Sequence, residues 1–301
     1  MGLAEDTAVH RLAPGDTVAA FALPGTDGHP VAVDPHARAA TVVVFTSNAC
    51  PYALAWHDRI QDVARDYAGR DVLVVQVVSN ADEAQPGDSL EAMRARVSAG
   101  ELAGPFVKDA GQEVARCFGV TATPEVFVAD RAGVVRYHGA PDGDFDNPGQ
   151  AAGWLRAALD TVLAGGEVEQ PATPPAGCSL KWRVDVLWWD GCPSHDRAVS
   201  LLEDTLQAMG RTEVAVRKVP VQTSGEAAER GFPGSPSFQV GGLDLFPGGG
   251  PPALTCRIYR QPNGRVAPLP SSEQLKQRLT QTLARPWDLP GWTDFRKGTS
   301  S

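Results

Sequence analysis

Two of the five cysteines in this 301-residue chain are followed by proline, Cys50-Pro51 and Cys192-Pro193. Each dipeptide comes after an apolar run that reads as a strand and before helical spacing. Proline suits the first helical position, where its missing N–H costs nothing. The cysteine before it then takes the N-cap, facing unpaired N–H groups and the positive end of the helix dipole. Such a site favours thiolate and brings the thiol below its usual range of about 8.5, giving a nucleophile at neutral pH. In each half a later pair, Thr123-Pro124 and Ser235-Pro236, opens a hairpin, 74 and 44 residues after the cysteine. The first copy therefore carries an insertion. Cis peptide bonds are essentially confined to proline, and one at each of these places would set backbone beside the sulfur. An inert packed thiol is the alternative for Cys50 and Cys192, and the repetition weighs against it.

A cysteine oxidised to sulfenic acid recovers through a second thiol. Cys178, at the end of a Pro/Gly-rich stretch, either resolves Cys50 or packs against Trp182. Cys256, beyond the second hairpin, could resolve Cys192. Cys117 falls in the apolar pattern Val114, Cys117, Phe118, Val120 and reads as core. Expected pairing is thus Cys50–Cys178 and Cys192–Cys256, with Cys117 free. Cys192-x-x-His195 offers two metal ligands where a structural zinc site needs four, so no resident metal is implied. Cys192, Cys256 and His195 could still hold a soft thiophilic ion. His57 could orient a substrate or simply lie at the surface. Arg136 could hold a thiolate or peroxide oxygen, or be solvated. Trp188 and Trp189 could floor a substrate groove near Cys192, but adjacent strand residues point to opposite faces, so at least one of them belongs to a core. Gly248–Gly250 lies between prolines and reads as loop, and no organic cofactor is called for.

Alternating strand and helix patterns position these residues and argue for an α/β fold. Strands are predicted at Val18–Leu23 and Val31–Val33 around a turn, then at Thr41–Phe45 and Val72–Val78, with helices over 51–68, 88–99, 111–118 and 150–164. A hairpin joins Glu125–Ala129 to Val134–Tyr137. The helix 51–68 is expected to turn Leu54, Ile60, Val63, Ala64 and Tyr67 inward. After a linker the scheme restarts: strand Arg183–Trp189, helix 194–209, strand Glu213–Val219, helix 225–230, a hairpin at Gly241-Gly242, helix 271–284. This organisation implies domains over 1–164 and 183–285, a linker over 165–182 holding Cys178, and a tail over 286–301.

Composition is ordinary, with 43% hydrophobic and 21% charged residues. A net charge of −9 without a basic cluster argues against nucleic acid as a partner. Apolar runs are too short to span a bilayer. The first fifteen residues lack the features of a secretory signal, and five scattered cysteines do not make a disulfide scaffold. A cytoplasmic protein is the expectation.

Residues 12–182 resemble the peroxiredoxin-like branch of the thioredoxin superfamily, the alkyl hydroperoxide reductase/thiol-specific antioxidant group. The resemblance rests on Phe45-Thr46-Ser47-Asn48-Ala49-Cys50-Pro51-Tyr52, on Glu113-Val114-Ala115-Arg116 leading to Phe118-Gly119-Val120, on Thr123-Pro124-Glu125, and on Gly177-Cys178-Ser179-Leu180-Lys181-Trp182. Ser47 matches the hydroxyl residue that peroxiredoxins carry three places before the reactive cysteine. Their proline seven places before it is Val43 here. Residues 183–284 resemble a smaller thioredoxin-like family found near mercury-resistance genes, through Trp189-Asp190-Gly191-Cys192-Pro193-Ser194-His195, Gly234-Ser235-Pro236-Ser237 and Thr255-Cys256-Arg257-Ile258-Tyr259. A thioredoxin would have cysteine where His195 stands. The resemblances imply two tandem thioredoxin-like domains and a thiol oxidoreductase acting on a small peroxide or disulfide, with a thiol reductant protein as partner. Cys50 attacks, Cys178 resolves, and Cys192 with Cys256 forms a second site. Ser47, Pro51, Thr123 and Pro124 support the first site, and Pro193, His195, Ser235 and Pro236 the second. Soft-metal transfer, or a fold recruited for non-redox work, are the alternatives.

Overall fold

The structure, a computed structural model, describes residues 11–283. The tail expected over 286–301 lies outside them. The chain divides into two compact units, one of residues 11–110 and 117–180, the other of 111–116 and 181–283. Among the described residues no helix is long and apolar enough to cross a membrane.

The first unit opens with a hairpin, β1 (Phe21–Pro24) and β2 (Pro30–Val33). It continues with β3 (Ala40–Thr46), α1 (Pro51–Tyr67), β4 (Val72–Val78), α2 (Leu90–Ser98) and β5 (Phe106–Lys108). The helix α3 (Glu113–Phe118) has its first four residues in the second unit. Then come β6 (Ala122–Thr123), β7 (Glu125–Asp130), β8 (Val135–Gly139), α4 (Gly153–Leu163) and β9 (Cys178–Ser179). A five-stranded sheet runs β5-β4-β3-β7-β8. Its β3, β4 and β5 are parallel, while β7 runs antiparallel to β3 and to β8.

Every residue of β3 is buried, as expected of a central strand covered on both faces. One face packs Val42, Val44, Val126 and Val128 against Trp56, Ile60, Val63, Leu155 and Leu159. On α1 the buried apolar residues Ala53, Trp56, Ile60, Val63 and Tyr67 recur at helical spacing. Leu54, expected inward, is exposed, because that stripe runs through Ala53 and Trp56. The indole Nε1 of Trp56 donates to Asp142 Oδ1 at 2.7 Å, and Arg59 closes a buried ion pair on the same carboxylate at 2.7 Å. Val43 pairs with Val75 on one side and Phe127 on the other. A proline there would remove a ladder donor from a central strand, which accounts for valine at this position.

The second unit repeats the central motif. Here β10 (Arg183–Trp188), α5 (His195–Ala208) and β11 (Ala215–Pro220) form a parallel βαβ unit, followed by α6 (Ser224–Glu229). The hairpin β12 (Ser237–Val240) and β13 (Leu243–Asp244) then completes a sheet ordered β11-β10-β12-β13. A small hairpin, β14 (Tyr259–Arg260) with β15 (Val266–Ala267), precedes α7 (Ser272–Thr282). Leu187, Val219, Val221, Ala227 and Phe232 form one core cluster. Gln112 belongs to this unit, donating to Lys181 O and accepting from Arg183 N–H. The fold is thus α/β, a mixed sheet flanked by helices.

Candidate active site

Cys50 stands where β3 gives way to α1. Ser47 Oγ accepts the N–H groups of Ala49 and Cys50 at 3.2 and 3.1 Å, shaping the turn. Cys50 is the N-cap of α1, with Pro51 in the first turn and no side-chain capping bond of its own. Its thiol donates to Thr123 O at 2.9 Å. The Thr123-Pro124 peptide is cis. Opposite, β9 pairs antiparallel with β6, so that Thr123 faces Cys178 and Ala122 faces Ser179. The Cys178 thiol hydrogen-bonds the Cys50 sulfur, and this does most to lower Cys50 from 9.0 to about 6. Burial of the sulfur opposes the fall, while the N–H groups of Ala53 and Cys178 add to it. The bond to Thr123 O exists in the thiol form alone, since a thiolate has no proton to give. Helix-terminus chemistry therefore operates here, through Ala53 N–H, but it stands behind the neighbouring thiol.

Two buried polar clusters hold this site. Asn48 N–H donates to Asp88 Oδ1 at 2.6 Å, and Asn80 Nδ2 donates to Asp88 Oδ2 at 2.7 Å. Lys108 Nζ ties the carbonyls of Asn80 and Asp88, each at 2.8 Å. Beyond the cis bond, Glu125 is fully buried and accepts the N–H groups of Thr121 and Ala122 at 2.9 and 3.1 Å. Its other oxygen meets Arg11 at 2.5 Å and His138 at 2.6 Å. Burial pushes this carboxyl up, but Arg11, His138 and the Thr121 N–H outweigh it and hold it at about 2. Sequence reasoning quoted Glu125 without giving it a role. A carboxylate opening an otherwise apolar strand, Glu125-Val126-Phe127-Val128, was the available signal.

In the second unit the Ser235-Pro236 peptide is also cis, and Cys192 Sγ donates to Ser235 O at 3.4 Å. Cys192 is buried but is not a helix cap, contrary to expectation. A turn closed by Cys192 N–H on Trp189 O delays the helix, so α5 starts at His195 with Ser194 as its N-cap. Pro193 follows that turn, in the one that leads into α5. His195 Nδ1 sits 2.8 Å from Cys192 O, and its ring stacks on Trp188 with centroids 4.3 Å apart. Ser235 Oγ accepts Trp189 N–H, and Tyr259 donates its hydroxyl to Pro236 O at 2.6 Å. Cys256 bridges Ser235 backbone to backbone but is itself exposed. None of the five cysteines is joined in a disulfide.

Other candidates fall elsewhere. Cys117, expected in the core, is exposed, because six-residue α3 buries Val114, Ala115 and Phe118 instead. His57 is half-buried against Arg96 and Glu101 O. Burial first, then the Arg96 charge, lowers its pKa. Arg136 pairs with Asp130 at 2.7 Å. Trp188 and Trp189 are both half-buried. Among the described residues no three or more His, Cys, Asp or Glu side chains cluster as metal ligands would.

Residues 13–150 match the family model described as Redoxin. Two solved structures are similar to the chain. A hypothetical protein from Sinorhizobium meliloti 1021 is 35% identical, with TM-score 0.53, over 57% of this chain and 96% of its own. An uncharacterized conserved protein from Geobacillus kaustophilus is 33% identical, with TM-score 0.54, over 57% of this chain and 94% of its own. No curated protein matches the sequence. The family match supports a thiol oxidoreductase type of function in general. Residues 13–150 are similar to the Redoxin family.

Proposed function

We propose that the first unit is a dithiol oxidoreductase that reduces a small hydroperoxide, with Cys50 as nucleophile and Cys178 as resolving thiol. The observation that carries this reading is the Cys178 thiol hydrogen-bonded to a buried Cys50, which lowers the Cys50 pKa to about 6. The Cys50 thiolate attacks one peroxide oxygen and the O–O bond breaks. One oxygen stays on sulfur as sulfenic acid, and the other leaves with a proton as alcohol or water. The Cys178 sulfur then attacks the sulfenic sulfur, expelling water and closing a disulfide. An external dithiol, such as a reductant protein, restores both thiols by exchange and leaves oxidised. Ser47 and Pro51 shape the turn, and Thr123 with Pro124 presents the carbonyl that holds the resting thiol. Cys192, supported by Pro193, His195, Ser235 and Pro236, forms a second thiol site with Cys256 as its partner.

Treating the reduced protein with one equivalent of tert-butyl hydroperoxide tests the reading. Loss of two thiols and recovery of a Cys50–Cys178 cross-linked peptide are expected. In Cys178→Ser, Cys50 should instead accumulate as sulfenic and then sulfinic acid. An unreacted Cys50 in the wild-type protein would refute it.

A further inference from the structure

An extended polypeptide that reacts with a buried sulfur needs a backbone edge to lie along, and an open strand edge offers one by strand addition. Beside Cys50 that edge is β6, and beside Cys192 it is the segment entering Pro236. Both are taken by the chain itself. β9 pairs with β6 over Ala122 and Thr123, and Leu180 N–H extends the pairing to Thr121 O at 3.0 Å. Ser235 donates its N–H to Thr255 O and accepts Arg257 N–H, each at 2.8 Å, so its backbone is satisfied on both sides. Each occupying segment carries a cysteine opposite the residue before the cis proline, Cys178 opposite Thr123 and Cys256 opposite Ser235.

The fit is tight. A Cβ on Gly177 would stand 2.0 Å from Thr123 O, and one on Gly234 would stand 3.1 Å from Thr255 O. Ala176 and Leu180, on either side of β9, are each 1% exposed, which anchors the segment at both ends. Cys50 and Cys192 are 4% and 3% exposed.

We propose that β9 and the 255–257 segment are resident straps that fill the peptide-docking edge beside each cis proline, restricting both thiol sites to small-molecule oxidants and excluding polypeptide disulfides. For the first site this rests on Cys50 being the nucleophile proposed above. It narrows the substrate class rather than the chemistry. With a small disulfide RSSR, the Cys50 thiolate forms a mixed disulfide and releases RS⁻. Cys178 then displaces the second RS⁻ and closes the intramolecular bond. A polypeptide disulfide reaches Cys50 after the strap has left.

The test compares 2-hydroxyethyl disulfide with insulin as oxidants of the reduced full-length protein, at a pH well above the Cys50 pKa, reading Cys50 modification by peptide mass. Insulin should react roughly 100-fold more slowly, since only the fraction of molecules with an open strap can engage it. Gly177→Ala, whose new methyl group displaces the strap, should speed the insulin reaction about tenfold or more. Leu180→Pro, which removes the strap N–H donated to Thr121 O, serves as a second variant. Equal wild-type rates for the two oxidants would overturn the inference, whatever the variants do. So would folded variants, checked by circular dichroism, that leave the insulin rate unchanged. A Cys50 inert to both 2-hydroxyethyl disulfide and tert-butyl hydroperoxide would instead bring down the nucleophile assignment, and the first strap's role with it.

Discussion

Replacing Cys178 with alanine removes the interaction that contributes most to the Cys50 thiolate. The displacement from 9.0 to about 6 amounts to roughly 4 kcal/mol of preference for the charged form. Losing about half of it would put the midpoint about 1.5 pH units higher. At pH 5 the thiolate fraction then drops about 30-fold, while the higher basicity raises intrinsic nucleophilicity about fivefold, leaving alkylation about sixfold slower. Near pH 9 both proteins are almost wholly thiolate, and the variant should react about fivefold faster. The curves cross near pH 7, so one neutral-pH rate would hide the effect. Iodoacetamide rates at Cys50, followed by peptide mass across that range, supply the measurement. Cys178→Ser keeps a donor and should keep the midpoint below that of the alanine variant. An unchanged midpoint in Cys178→Ala would show that the neighbouring thiol does not set the reactivity of Cys50.

Glu125 is a carboxylate with a depressed folded pKa, so the stability it adds is present above its ordinary range and lost as pH falls toward about 2. From 4.5 to about 2 this is roughly 3 kcal/mol, and urea unfolding of wild type should lose it between about pH 5 and pH 2 while Glu125→Gln shows no such loss. Parallel profiles for the two proteins would refute that assignment. Reagent size should reverse labelling order: a bulky maleimide should mark exposed Cys117 and Cys256 first, whereas limiting iodoacetamide at about pH 6 should mark Cys50 first. Peptide mapping decides, and early maleimide labelling of Cys50 counts against its burial.

What could be read in advance follows from how much sequence each feature spans. β3 and β4 are seven-residue, nearly all-apolar runs, long enough to declare buried strands. α1 was visible from its spacing, yet its inward stripe was set one step off, with Leu54 where Ala53 and Trp56 belong. The paired β6 and β9 are two residues each, too short for any periodicity, so the approach of Cys178 to Cys50 was suggested only by its place at the end of the Pro/Gly-rich stretch, with packing against Trp182 as the alternative. Identical Cys-Pro dipeptides took different places because the turn from Trp189 to Cys192 intervenes before α5, whereas α1 follows Cys50 at once. In α3, apolar spacing did place Val114 and Phe118 inside, but a six-residue helix has too narrow a covered arc to take in Cys117. The buried partners of Glu125 and Asp88 come from distant segments, and local patterning carries no record of them.

The two sulfurs of the first site rest on unequal foundations. On the Cys50 side, the Asp88 carboxylate, the Asn80 side chain and the Lys108 side chain bind the loop after β4 and the end of β5 to the turn before α1. On the Cys178 side stands a two-residue strand. In the disulfide proposed above, the two-residue β9, held by its flanking residues rather than by a buried charge network, is the side expected to shift. In the oxidised form, the amides from Cys178 to Leu180 are expected to change their hydrogen-exchange protection while that of Asn48 does not, which exchange measured on the reduced and oxidised proteins would check. Such a site would carry a structural record of its redox state on one side only.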